Sequence, residues 1–201
     1  MGTRWTIANA IMMPSRWKNT GFTLLELLIV IAVIGILVGA ILPRSDPNVL
    51  DELRSTAQIV STELAYGRSL AMANNSTYKF TFDTTQNRFV LQHSGSNTLL
   101  NTLPRTPFSS PSDTATQHVV SLNEFPHMGP NVQIAAVTTA GTTPQRISDL
   151  EFNPLGATTR SVGTIVWLAA GSGSYTRYIT ISVDPVIGLS QVGNYSITPP
   201  P

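Results

Sequence analysis

The sequence predicts an α+β protein in which a long amino-terminal helix, transmembrane in its first half and amphipathic in its second, precedes a β-rich globular head. Three observations carry that expectation. Phe22 to Leu42 is a run of 21 residues with a single charge, Glu26. From Ser45 to Asn75 apolar residues recur at helical spacing, and beyond Asn75 the period falls to two. A chain of 201 residues has room for one ordinary domain plus such an appendage. Charged residues make up only 11% and the formal net charge is +1 without any Lys/Arg run, which removes the footprint of a nucleic-acid binder. Zero cysteines exclude a disulfide scaffold, a Cys nucleophile and a thiolate metal site.

The first element is the apolar run FTLLELLIVIAVIGILVGAIL. As a helix it would cover about 31 Å, close to the roughly 30 Å hydrocarbon thickness of a bilayer. It is apolar on every face, whereas a surface helix of a soluble domain shows polar residues at regular intervals. Arg16 and Lys18 precede it without an acidic partner, so the amino end is expected to stay cytoplasmic and the rest to be exported. A cleaved secretory signal would end in small residues of the Ala-x-Ala type. Here the run ends instead in Pro43-Arg44-Ser45-Asp46-Pro47.

Glu26 needs its own account, because a carboxylate at the centre of a spanning helix costs on the order of 2.5 to 3.5 kcal/mol, and less near an end. It lies one helical turn after Phe22. Cutting the chain between Gly21 and Phe22 would create an ammonium at membrane depth, and Glu26 could serve as its counter-ion, within one chain or between neighbours. Pairing between neighbours would set their register, since two unpaired charges in lipid are costly and pairing relieves both.

Lys18-Asn19-Thr20-Gly21-Phe22-Thr23-Leu24-Leu25-Glu26-Leu27 resembles the class III signal of type IV prepilins and type II secretion pseudopilins. The resemblance implies a non-enzymatic subunit, without cofactor, whose leader is residues 1–21. A prepilin peptidase/methyltransferase would cut after Gly21 and N-methylate Phe22, and Glu26 would pair with the amine of an adjacent subunit. Pro43 falls where that family has its helix-bending proline, and Gly35 where its helices loosen in the filament. The transmembrane half is then 22–42, the amphipathic half 43–75 and the periplasmic head 76–201. The implied partners are inner-membrane lipid before assembly and other pseudopilins or pilins in a helical filament afterwards. The implied location is the bacterial inner membrane, single-pass, followed by the pseudopilus or pilus. The leader is longer than most in that family; initiation at Met13 instead of Met1 would leave nine residues, MPSRWKNTG. Removing residues 1–21 leaves 9 basic and 11 acidic side chains, a charge of −2.

In the second half, Leu53, Ala57, Val60, Leu64, Gly67 and Ala71 form an apolar stripe, with Asp51, Glu52, Arg54 and Glu63 off it. Asp46-Pro47 has the form of an N-cap and first helical position, and Asn74-Asn75 of a stop. Tyr78, Phe80 and Phe82 then alternate with polar residues, and the turn 84–87 leads to Arg88-Phe89-Val90-Leu91, a hairpin pattern. Further strands are expected at 119–122, 132–137, 149–152, 164–170, 175–183 and 189–192, with a long loop over 94–117. Ala65-Tyr66-Gly67-Arg68-Ser69-Leu70-Ala71 before a Tyr78-x-Phe80-x-Phe82 strand, and Leu150-Glu151-Phe152-Asn153-Pro154-Leu155-Gly156, resemble the minor pseudopilin H of type II secretion and its pilus relative, the FimT group.

No residue set points to catalysis. His93, His118 and His127 fall on different segments with no carboxylate arranged beside them, the pattern of surface or half-buried histidines and not of a metal site. Gly171-Ser172-Gly173-Ser174 lacks the Lys of a phosphate loop and is expected to be a turn between strands. DNA uptake, which the FimT resemblance brings with it, would need several cations near the carboxyl end. Arg177 is the last Lys or Arg, so nucleic acid is not an expected partner. A free-standing tethered ligand-binding domain is the remaining alternative, and it requires a defined pocket.

Overall fold

The computed structural model describes residues 23–41, 49–105, 110–124 and 132–201. Gly21, Phe22, Pro43, the Asp46-Pro47 cap and His127 lie outside them. The chain divides into two compact units, Met1–Ser45 and Asp46–Pro201.

In the first unit, helix α1 runs from Leu24 to Ile41. Its large apolar side chains from Leu24 to Ile34 are 45–84% exposed on all sides, and none belongs to a protein core. Among the described residues no helix is long and apolar enough to cross a membrane. The expected span began two residues earlier and ended one later than this helix; Thr23 stands just before the helix, and Phe22 and Leu42 lie outside the described residues.

In the second unit, α2 runs from Val49 to Ala73. Its end is where the sequence placed it: Asn75 takes φ 47°, Ser76 N–H donates to Ala71 O at 3.1 Å, and Asn74 N–H to Leu70 O at 3.0 Å. Asparagine is among the few residues that tolerate this left-handed position at a helix C-terminus.

Among the described residues eight antiparallel strands follow: β1 Tyr78–Asp83, β2 Arg88–His93, β3 His118–Ser121, β4 Gln133–Thr139, β5 Asp149–Phe152, β6 Thr164–Ala170, β7 Arg177–Val183 and β8 Ser190–Ser196. They form two four-stranded sheets, β3-β2-β1-β5 and β4-β6-β7-β8. The β1–β2 hairpin pairs Phe80 with Leu91 and Phe82 with Phe89. Asp83 Oδ1 accepts the N–H groups of Thr85 and Gln86, both at 3.0 Å, and Asn87 closes the turn at φ 53°. Where 175–183 was expected to be one strand, Gly173–Tyr175 makes a 3-10 turn and the strand starts at Arg177.

The α2 helix packs against strands of both sheets: β1 and β5 of the first, β6, β7 and β8 of the second. Alternation along β1, β2, β5, β6 and β7 sends one face inward, as it must when only one face of a sheet meets the core. The first sheet contributes Phe80, Phe82, Phe89 and Phe152, with ring centroids 5.8–6.4 Å apart. The second contributes Val166, Leu168, Ile179, Ile181 and Val183, all fully or almost fully buried. Every residue of the predicted α2 stripe is buried. Glu52, Thr56 and Glu63 are buried as well, which corrects the placement of both glutamates away from the packed face. A helix seated over two sheets hides a wider arc than a single stripe.

Candidate functional site

At the start of α1, Thr23 precedes the first helical residue and its Oγ1 accepts the Glu26 backbone N–H at 3.2 Å. That bond satisfies one of the four N–H groups a helix start leaves without a partner. Thr23-x-x-Glu26 also has the spacing of a capping box. Glu26 is exposed in the first turn, where a carboxylate interacts favourably with the positive end of the helix. Sequence reading found Glu26 through its charge and missed Thr23, although the T-x-x-E spacing was there to be read. Gly35 has open space around it, with no atom within 4 Å of where a Cβ would stand.

In the head, the structure corrects the reading of the histidines: His93 and His118 are buried, 8% and 4% exposed, and His118 sits between two carboxylates. Its Nε2 lies 3.1 Å from Glu63 Oε2 and its Nδ1 3.1 Å from Asp113 Oδ2. These partners are 55 and 5 residues away, so no local spacing could have announced the group. Burial disfavours the charged ring, but the hydrogen bonds and charges of Glu63 and Asp113 outweigh it and raise the His118 pKa above its ordinary value. Among the described residues no group of His, Asp and Glu is arranged to hold a metal ion.

His93 Nε2 lies 2.7 Å from Ser76 Oγ and Nδ1 2.8 Å from Asn101 Oδ1. Because the amide oxygen only accepts, a neutral ring donates from Nδ1 and accepts the Ser76 hydroxyl hydrogen bond at Nε2. A side chain at Gly95 would land on the Ser76 hydroxyl, so the loop backbone lies directly over it. The arrangement acts as a clasp between the α2 stop, β2 and the following loop.

The two head segments singled out in the sequence meet in space. Arg68 Nε on α2 donates to Gly156 O at 3.1 Å and to Ile187 O at 2.9 Å, joining the loop after β5 to the loop before β8. Gly156 and Gly188 take φ 80° and 64° there. Gly171-Ser172-Gly173-Ser174 joins β6 to β7, and Arg177 beside it donates to Thr176 O at 3.0 Å.

Residues 18–42 match the prokaryotic N-terminal methylation motif. No curated protein matches the chain in sequence. Among solved structures, it is similar to the type IV minor pilin FimU of Pseudomonas aeruginosa strain PAO1, at 14% identity and a TM-score of 0.43, over 72% of this chain and 90% of that one. A second crystal form of FimU gives 13% and 0.43, over 71% and 93%. It is also similar to the minor pseudopilin EpsH from the type 2 secretion system of Vibrio cholerae, at 11% and 0.44, over 70% and 95%.

Proposed function

We propose that this pilin-like chain is a minor pseudopilin, a non-enzymatic structural subunit of a type II secretion pseudopilus. The observation that carries the reading is Gly21-Phe22-Thr23-Leu24-Leu25-Glu26 at the head of an otherwise uncharged stretch, within the methylation motif of residues 18–42. In this reading prepilin peptidase removes residues 1–21 and methylates Phe22. The 22–42 segment holds the subunit in the inner membrane with its head in the periplasm. During assembly it leaves lipid for a bundle of similar helices, an exchange of apolar surroundings that costs little hydrophobic free energy. Glu26 then pairs with the Phe22 amine of a neighbour and fixes the axial register, while Pro43 bends the chain between its two helical halves.

A minor pilin of a type IV pilus, of the FimT group, shares the same processing and the same use of Glu26. Residues 178–201 contain no Lys or Arg, which opposes a DNA-uptake role for such a pilin.

The test is mass spectrometry of the mature protein together with an incorporation assay on Glu26→Ala. The expected result is an amino terminus at N-methylated Phe22, and a variant that inserts in the membrane but enters filaments at a much reduced level. A mature chain that keeps its basic leader would reduce the protein to a tethered β-domain. Normal incorporation of Glu26→Ala would remove the register role.

A further inference from the structure

Both ring nitrogens of His118 face carboxylate oxygens at 3.1 Å. An ionised carboxylate only accepts, and a neutral imidazole has one N–H to give. Only the doubly protonated ring satisfies both contacts. The three groups come from three places: Glu63 from the middle of α2, His118 from the first residue of β3, and Asp113 from the segment 110–117 that leads into β3. The His118 and Glu63 side chains are each 4% exposed and that of Asp113 18%, so water does little to screen or replace these contacts.

Asp113 is also the fastening point of its own segment. Its Oδ1 accepts the Val119 N–H at 2.6 Å and its Oδ2 the Ser110 N–H at 3.2 Å. We infer that Glu63, His118 and Asp113 form a proton-operated latch: the imidazolium clamps the 110–117 segment and the β3 edge of the first sheet to α2, and its deprotonation releases them.

The other groups around His118 agree with this assignment. From α2, Tyr66 meets the imidazole edge-on, with centroids 6.4 Å apart, and its hydroxyl donates to Pro104 O at 3.3 Å. Burial first, then the charge of Glu63, raises the Tyr66 pKa, so the phenol stays neutral wherever the latch titrates. From the loop, Arg105 lines the same cavity of about 430 Å³ and is the one cation there among the described residues; Ser110, whose hydroxyl donates to Glu124 Oε2 at 2.6 Å, closes the side toward the short helix after β3. From β2, the cross-strand partner is the uncharged Leu91. The charges that hold the proton are therefore Glu63 and Asp113.

The folded-state pKa of His118 lies above the unfolded one. The latch contributes fully below the unfolded value of about 6.5 and is lost as pH rises through the folded value. Once the proton leaves, the ring keeps one carboxylate and turns a lone pair toward the other. Asp113, the more exposed of the two, is the group that lets go. The sheets and α2 keep their own packing, so the change is confined to the edge of the head.

The experiment uses the full chain in detergent micelles, labelled with ¹⁵N. At pH 6 both His118 ring nitrogens should be protonated. The protection factor of the Val119 amide, corrected for intrinsic exchange, should fall by about tenfold for each pH unit between the unfolded value of about 6.5 and the folded pKa, and level off above it. In Asp113→Asn, which keeps an acceptor for Val119 but not the charge, that pH dependence should vanish. A neutral His118 ring at pH 6, or a Val119 protection factor in the wild type that is flat from pH 6 to 9, would overturn the latch.

Discussion

Asn87 sits at φ 53° in the β1–β2 turn with its side chain buried among three partners. Its Nδ2 donates to Val132 O at 2.7 Å and to Asn123 Oδ1 at 2.9 Å, and its Oδ1 accepts the Ile134 N–H at 2.8 Å. One amide thus ties a turn of the first sheet to the entry of β4 in the second. The sequence marked residue 87 only as part of a polar turn, because turn chemistry is local and its partners lie 36 to 47 residues ahead. Two effects can be separated by substitution. Glycine tolerates the positive φ, so Asn87→Gly should lose about 2 kcal/mol from the missing hydrogen bonds alone. Asn87→Ala should lose about 1 kcal/mol more from backbone strain. Urea denaturation of both variants checks this; equal losses would show that the turn conformation carries no cost.

At the scale of an element, α2 determines how closely the two layers approach. At Gly67 the helix lies close against the first sheet: a Cβ there would meet the Phe80 ring, with Cζ at 2.6 Å, and Leu91 Cδ1 at 3.2 Å. Phe80 is fully buried among Phe82, Phe89 and Phe152 and has no space to yield. Gly67→Ala should therefore destabilise the head by about 1 to 2 kcal/mol, the overpacking cost exceeding the roughly 1 kcal/mol that alanine gains in a helix. A rise in the thermal midpoint of that variant would refute the close approach. The helix also shows where legibility ended. Leu53, Ala57, Val60, Leu64, Gly67 and Ala71 were readable because their period is about 3.6 and their side chains are apolar or absent. Glu63 and Glu52 flank that stripe and are buried too, yet a periodicity argument sorts by polarity and must send them to solvent. Glu63 is buried against His118 of β3, 55 residues ahead, whose position is set by long-range pairing. Strands β5 and β6 were legible to the residue for the opposite reason: alternation in a half-buried strand is a local signal bounded by turn residues.

At the scale of the whole molecule, the two units obey different solvents. Among the described residues, the core from Leu53 to Val183, together with the partly buried Val192 packed on it, belongs to the second unit. The apolar side chains of α1 are exposed from Leu24 to Ile34, and lipid and neighbouring helices are the two media that the proposed function supplies to cover them. The head, by contrast, closes its own core with α2 and two sheets. Truncation to residues 46–201 should therefore give a protein that folds without detergent. Its thermal midpoint should lie within about 3 °C of that of the head in the full chain, the shift that roughly 1 kcal/mol produces in a domain of this size. Differential scanning calorimetry of both forms decides the matter. A midpoint lowered by about 10 °C or more would mean that residues before Asp46 hold up the head, and the division between a helix that needs partners and a head that needs none would have to be abandoned.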